Sequence, residues 1–73
     1  MVLTHAFTAT QSDTTDLNKT VYVYVGGDGN VKITTEGGED VTFNGMSAGD
    51  WLPVKAVRIW STGTTATNLV MAW

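Results

Sequence analysis

Valine and tyrosine alternate strictly in the stretch TVYVYV. Side chains of an extended chain point to its two faces in turn. Val21, Val23 and Val25 therefore share one face, and Tyr22 and Tyr24 share the other. Both residue types favour strands. The pattern predicts a β-strand whose valine face lies in the core.

The stretches VKITTE and VTFNGM continue this alternation and place Val31, Ile33, Val41 and Phe43 on the buried face. The segments GGDGN and GGED separate the three strands. We interpret both as hairpin turns, because glycine readily adopts positive φ angles. Residues 20–46 are therefore predicted to form a three-strand meander.

The segment GGDGN also raises the question of a ligand. A phosphate-binding loop leads into a helix and usually carries a Lys, whereas a strand follows here and Asp28 would repel an anion. Asp28 and Asn30 could offer oxygen atoms to calcium, but such a site needs about six oxygens and usually a bidentate Glu. We therefore predict a turn and no metal or cofactor.

Residues 47–73 are predicted to form a loop followed by two strands, VKAVRIW and NLVMAW. The alternation slips in the first of these strands, where Val54 and Ala56 share one face and Val57 and Ile59 share the other. Either both faces are covered or a β-bulge near Ala56 shifts the register. We favour covered faces.

Residues 1–19 are predicted to contain an edge strand and a polar segment that is either an ordered loop or an arm lying across a neighbour. Within it, Asp13, Thr14 and Asp16 are expected to accept hydrogen bonds from nearby backbone N–H groups. No window shows helical periodicity. Residues 1–73 are thus predicted to be a single all-β domain, a small antiparallel β-sandwich or barrel of about six to seven short strands with almost no helix.

Length and composition limit how the domain could be stabilised and what it could bind. A chain of 73 residues buries a thin core, and small domains are often stabilised by disulfides, metals or oligomerisation. The sequence has no Cys and one His, so the favoured route is oligomerisation or docking on something larger. The net charge is −3 with only four Lys and Arg, which disfavours direct binding to nucleic acid. We expect neither a signal peptide nor a membrane segment.

Large aromatic side chains are numerous for so small an interior and are common at protein interfaces. Trp60 and Trp73 fit core and interface equally well, whereas Trp51 fits an interface or its rim better. No nucleophile elbow is present, and His5 lacks a neighbouring base or metal ligand in the sequence. We predict no catalytic residues and no enzyme activity. The interface candidates are Tyr22, Tyr24, Trp51, Trp60 and Trp73.

The order of several short segments resembles a known family. SDTTDL, VYVGGDGNV, GGEDVTF, AGDWLPVKAVRI and STGTTAT together resemble the head-spike base proteins of gene transfer agents and related small virion proteins of tailed phages. The resemblance covers nearly the whole chain. The family pattern often has Pro where this chain has Asn18 and a small residue where it has Trp51.

The resemblance implies a non-enzymatic virion structural protein, made in the host cytoplasm and located on the capsid surface. It implies a ring of identical copies, five at a capsid vertex, that docks on the major capsid protein and seats a fibre or decorates the shell. Two alternatives stay open. One is a small carbohydrate-binding module in which Trp51 or Trp73 stacks on a sugar ring, and the other is a head-to-tail or tail completion protein.

Overall fold

The computed structural model describes residues 3–9, 11–17 and 19–73. These residues form six strands and no helix, which confirms the all-β prediction. The described part also has no helix that could cross a membrane. Parts of the N-terminal predictions fall on Met1, Val2, Thr10 and Asn18, which lie outside the described residues. The strands are β1 (Ala6–Thr8), β2 (Tyr22–Tyr24), β3 (Gly29–Thr35), β4 (Asp40–Met46), β5 (Ala56–Ile59) and β6 (Val70–Ala72).

Two antiparallel sheets make up the fold, with strand orders β1-β6-β2 and β4-β3-β5. Val21 and Ala56 link them by exchanging two backbone hydrogen bonds of 2.9 and 2.8 Å. The strands can therefore be followed across the molecule as β1-β6-β2-β5-β3-β4. In the described part of the chain, β1 and β4 are the two end strands of this order.

The core lies between the sheets. Val21, Val23 and Val25 are fully buried, as are Val31 and Ile33 of β3, so the predicted inward faces of these segments are confirmed. The rest of the buried cluster comes from the C-terminal half of the chain. Its members there are Leu52, Ala56, Ile59, Ala66 and Leu69.

The predicted meander is wrong at its first turn. β2 pairs with β6, whereas β3 pairs with β4 and β5, so GGDGN joins two different sheets. The reason is a close approach to residues 65–68, because a Cβ atom at Gly26, Gly27 or Gly29 would collide with that segment. The second turn is a true hairpin, in which Gly38 has a φ of 94° and joins β3 to β4.

Two further predictions about buried faces need correction. Val41 is 36% exposed rather than buried, because β4 is an end strand and the core stops beneath it. In β5, the partner of Thr34 is Arg58 and the partner of Thr35 is Ala56, so one residue is inserted there. This β-bulge, rather than coverage of both faces, puts Ala56 and Ile59 in the core.

Candidate assembly surface

The outer face of the first sheet carries both tyrosines. Residues paired across antiparallel strands project to the same face. Tyr22 is paired with Ala72, and Tyr24 is paired with Val70, so all four lie opposite the buried valines. Both tyrosines are half-buried. The structure thus brings two interface candidates together on one face, as the alternation predicts.

Trp51 extends this face beyond β2. The segment before β5 runs along β2, since the Leu52 N–H donates to the Val23 carbonyl at 3.0 Å and the Val25 N–H donates to the Asp50 carbonyl at 2.8 Å. The rings of Trp51 and Tyr24 meet edge to face with centroids 5.2 Å apart. Trp51 stays 46% exposed and so lies outside the core, and its place at an interface or rim stays a prediction.

An open groove of about 460 Å³ lies beside the Trp51 ring. It is a mostly apolar depression between the end strand β1, β6 and the Trp51 segment. Alternation within single strands could not reveal this groove, because its walls come from both ends of the chain. Its lining residues are Leu3, Thr4, His5, Ala6, Trp51 and Ala72.

Trp73 belongs to a separate aromatic cluster. Its ring stacks on His5 and Phe7, with centroids 5.2 and 5.3 Å apart. The Lys19 ammonium lies 4.0 Å from the ring centroid. Trp73 is half-buried and also packs against the core. One side of Trp73 therefore packs on the core and the other contacts the exposed side chains of β1, while its role at an interface stays a prediction.

Trp60 covers the outer face of the second sheet. Its indole N–H donates to the Thr34 hydroxyl at 3.0 Å. Lys32 lies 4.1 Å above the ring and the Arg58 guanidinium lies 5.1 Å from it. Cations over aromatic faces are attracted by the ring quadrupole. These contacts occupy much of the Trp60 ring. The ring also lies apart from Tyr22, Tyr24 and Trp51, because it covers the second sheet and they lie at the first.

The polar N-terminal segment lies on its own chain as an ordered loop. The N–H groups of Ser12 and Leu17 donate to the carbonyls of Ile59 and Val57, at 2.9 and 2.6 Å. The predicted local role falls to Ser12, whose hydroxyl accepts from the N–H groups of residues 14 and 15. The prediction for Asp13, Thr14 and Asp16 is wrong in this respect, since both carboxylates have distant partners.

Asp13 anchors the loop after β5. It accepts hydrogen bonds from the N–H groups of Ser61 and Thr62, at 3.0 and 2.7 Å, and a short one from the Thr62 hydroxyl. These bonds, those from Thr62 foremost, hold the pKa of the Asp13 carboxyl below its usual value. Asp16 instead pairs with Arg58 at 2.7 Å. The two carboxylates thus serve the fold and do not face a common groove.

The oxygens considered for calcium are also engaged within the chain. Asp28 accepts from the Ala48 N–H at 2.8 Å, and Asn30 accepts from the Gly45 N–H at 2.9 Å. No group of three acidic or histidine side chains suited to a metal occurs among the described residues. Sequence reasoning did not place His5 and Phe7 in an aromatic cluster with Trp73, because only the pairing of β1 with β6 brings the three side chains together.

Comparison with known proteins identifies a relative among the solved structures. No protein-family model and no curated protein matches the sequence. Among solved structures, it is similar to a chain of the "Capsid of native GTA particle computed with C5 symmetry", GTA denoting a gene transfer agent. The identity is 34% and the TM-score 0.84, with 99% of this chain and 84% of that chain covered. Such similarity over nearly the whole length means that the chain belongs to the same protein family as this GTA capsid chain.

Proposed function

We propose that this protein is a non-enzymatic structural protein of a virion or GTA particle, and that it attaches to the capsid as a homo-oligomer. The similarity to a GTA capsid chain over 99% of the sequence carries the proposal. Within the particle, we assign it the more specific role of a spike base or decoration module on the capsid surface. This role also follows from the resemblance to head-spike base proteins.

The surface properties of the chain support an assembly role. Trp51, which is 46% exposed, lies next to the two tyrosines and a mostly apolar groove. Exposed aromatic rings beside apolar grooves are typical of protein interfaces. The core consists mainly of Val, Ala, Ile and Leu side chains, and a partner would add buried area to so small a domain. An aromatic surface suited to contact is thus present on a domain whose stability would increase if a partner buried that surface.

The expected partners are further copies of the chain, the major capsid protein and a fibre protein. The fivefold ring is the form of the homo-oligomer that the resemblance to head-spike base proteins implies, and it stays part of the proposal. Cyclic symmetry gives every copy the same contacts. We assign the aromatic face formed by Trp51, Tyr22 and Tyr24 to contact with the capsid or fibre.

Binding to capsids tests this proposal directly. Capsids are purified from particles that lack this protein, mixed with the purified chain and separated on a density gradient. We expect the chain to move with the capsids. Trp51→Ala should weaken the binding at least tenfold, whereas Glu36→Ala, an exposed change at the hairpin end, should leave it unchanged.

Two results would contradict the proposal. One is a chain that stays at the top of the gradient and instead binds glycans as a monomer, which would favour a carbohydrate-binding module. The exposed Trp51 ring beside the groove is the observation that favours this alternative. The other is a position within the tail in a map of whole particles, which would favour a completion protein.

A further inference from the structure

Of the three large apolar side chains that are exposed among the described residues, two lie on the end strands of the fold. Phe7 of β1 is 55% exposed and Val41 of β4 is 36% exposed. Phe7 is paired with Met71 and Val41 with Ile33, both of which contact or form the core. Paired residues share a face. Each exposed side chain therefore lies on the core-facing side of its sheet, but past the edge of the core that this chain forms.

The backbone of β1 directs unpaired groups outward. His5 and Trp73 exchange two hydrogen bonds of 2.9 Å, and the Ala9 N–H donates to the Leu69 carbonyl at 2.9 Å. Residues along an antiparallel strand alternate between bonding inward and outward. Ala6 and Thr8 therefore direct their N–H and carbonyl groups away from β6. Within the described residues, no backbone hydrogen bond of the chain reaches these groups.

The same reasoning applies to β4. The Lys32 carbonyl accepts from the Trp60 N–H on the β5 side, whereas the Thr35 N–H donates toward Glu39 on the β4 side. Odd-numbered residues of β3 therefore bond to β4. Their partners in β4 include Val41, so the next residue, Thr42, directs its N–H and carbonyl outward.

We propose that the outer edge of β4 in one copy pairs with the outer edge of β1 in the next copy. The strand order β1-β6-β2-β5-β3-β4 then continues from subunit to subunit as one hydrogen-bonded series. In this arrangement Val41 of one copy and Phe7 of the next lie side by side on core-facing surfaces. The inference rests on the homo-oligomeric function proposed above, and it identifies the two surfaces that meet.

Charge favours the pairing of unlike edges over the pairing of like edges. Glu36, Glu39 and Asp40 are exposed around the start of β4. The first twelve residues contain no Asp or Glu, and Lys19 lies over Trp73 beside β1. Two β4 edges would bring the acidic groups together, which is unfavourable. Contacts between unlike edges repeat head to tail and form a ring when the rotation closes.

The strand β1 also lacks the usual protection of a sheet edge. Soluble proteins commonly block exposed edges with Lys, Pro or a bulge. The strand Ala6–Thr8 has none of these features. Such an edge is suited to pairing with another strand.

Proline variants test the proposal because they remove an outward N–H group without disturbing the internal ladder. The variants are Thr8→Pro on β1 and Thr42→Pro on β4, with Thr8→Ser and Thr42→Ser as matched controls. Native mass spectrometry measures the assembly state, and thermal melts measure folding. We expect each proline variant to be a folded monomer at concentrations where the parent and the serine variants are oligomers.

Mixing the two proline variants distinguishes unlike from like edges. Thr8→Pro retains an intact β4 edge, and Thr42→Pro retains an intact β1 edge. We expect the mixture to form a heterodimer and nothing larger, because only one intact pair of edges is available. A mixture that stays monomeric would overturn the proposal.

A second experiment avoids proline in case either variant fails to fold. The chain has no cysteine, so Thr8→Cys and Thr42→Cys each introduce a single thiol. A maleimide cross-linker spanning about 8 Å reaches direct and diagonal neighbours on adjacent strands. We expect a cross-linked dimer from the mixture and little from either variant alone.

The outcomes separate this inference from the proposed function. Edge pairing is overturned if the parent oligomer persists in both proline variants, or if Trp51→Ala alone dissolves it. In either result the homo-oligomer and its binding to capsids stand. A parent chain that is monomeric at all concentrations and on capsids overturns edge pairing together with the proposed ring.

Discussion

The two glycine-rich segments GGDGN and GGED look alike in the sequence but serve different physical purposes. The first passes close to the returning chain, where Gly27 bridges to Thr67 and the Asn30 carbonyl accepts from the N–H groups of Thr65 and Ala66 at 2.8 and 3.1 Å. The second is an exposed hairpin end, where Gly38 has open space around it. Glycine thus provides room at the first segment, where Gly29 also has a positive φ angle, and only a positive φ angle at the second.

Replacing a glycine in each segment should give the largest difference between them. At Gly29, which has a φ of 150°, an added Cβ collides with the backbone of Ala66. Overpacking and backbone strain each cost about 1–3 kcal/mol. We therefore expect Gly29→Ala to lower the free energy of unfolding by about 3 kcal/mol or more, measured by urea denaturation.

Gly38→Ala is the matched control, because it introduces strain without a collision. We expect a loss of about 1 kcal/mol. Equal losses at the two positions would contradict the distinction between room and conformation. So would a larger loss at Gly38.

This comparison also shows how far the sequence predicts the fold. Alternation is a local property, so the inward faces of Val21, Val23 and Ile33 and the hairpin at GGED were predictable from adjacent residues. The pairing of β2 with β6 depends on a segment far along the chain, and no local signal separates it from a pairing with β3. The exposure of Val41 has the same origin, because it depends on which strand ends the sheet.

The candidate surface shows a similar limit. Tyr22 and Tyr24 were predictable as one outward face, and a position of Trp51 outside the core was predictable from its place beside Asp50 in a loop. The three tryptophans, however, occupy separate environments. Trp60 lies under Lys32 and Arg58. This position depends on the pairing of β5 with β3 and on the bulge in β5, neither of which is visible in the local sequence. Contacts between distant segments therefore decide which aromatic rings remain available to a partner.

An intermediate effect is expected at Asp13, which holds the loop after β5. That loop continues into residues 65–68, which lie against the first glycine segment. Hydrogen bonds lower the pKa of this carboxyl in the folded chain from 3.8. A group with a lowered folded pKa stabilises the fold above its unfolded pKa, and this contribution is lost as the pH falls through the folded value. Asp13→Asn should therefore destabilise the chain at neutral pH and flatten the decline in stability below about pH 4.

Urea midpoints measured from pH 7 down to pH 2 check this prediction. Thr62→Val removes the hydroxyl that donates to Asp13 and keeps the carboxylate, so it should flatten the acid decline only in part. An Asp13→Asn variant whose acid decline parallels that of the parent would show that other carboxylates control it.

The smallest effect is expected at the hairpin end. The Thr35 hydroxyl donates to Glu39 at 2.7 Å and accepts from the Glu39 N–H at 3.2 Å, and both bonds are exposed to solvent. Exposed polar substitutions usually change stability by about 0.5 kcal/mol or less. We expect Glu39→Gln and Thr35→Val to remain within this range and their double-mutant cycle to give a coupling of similar size. A coupling above about 1 kcal/mol would mean that the hairpin end, like the crossing at GGDGN, depends on specific contacts. The two segments would then differ only in what their glycines provide.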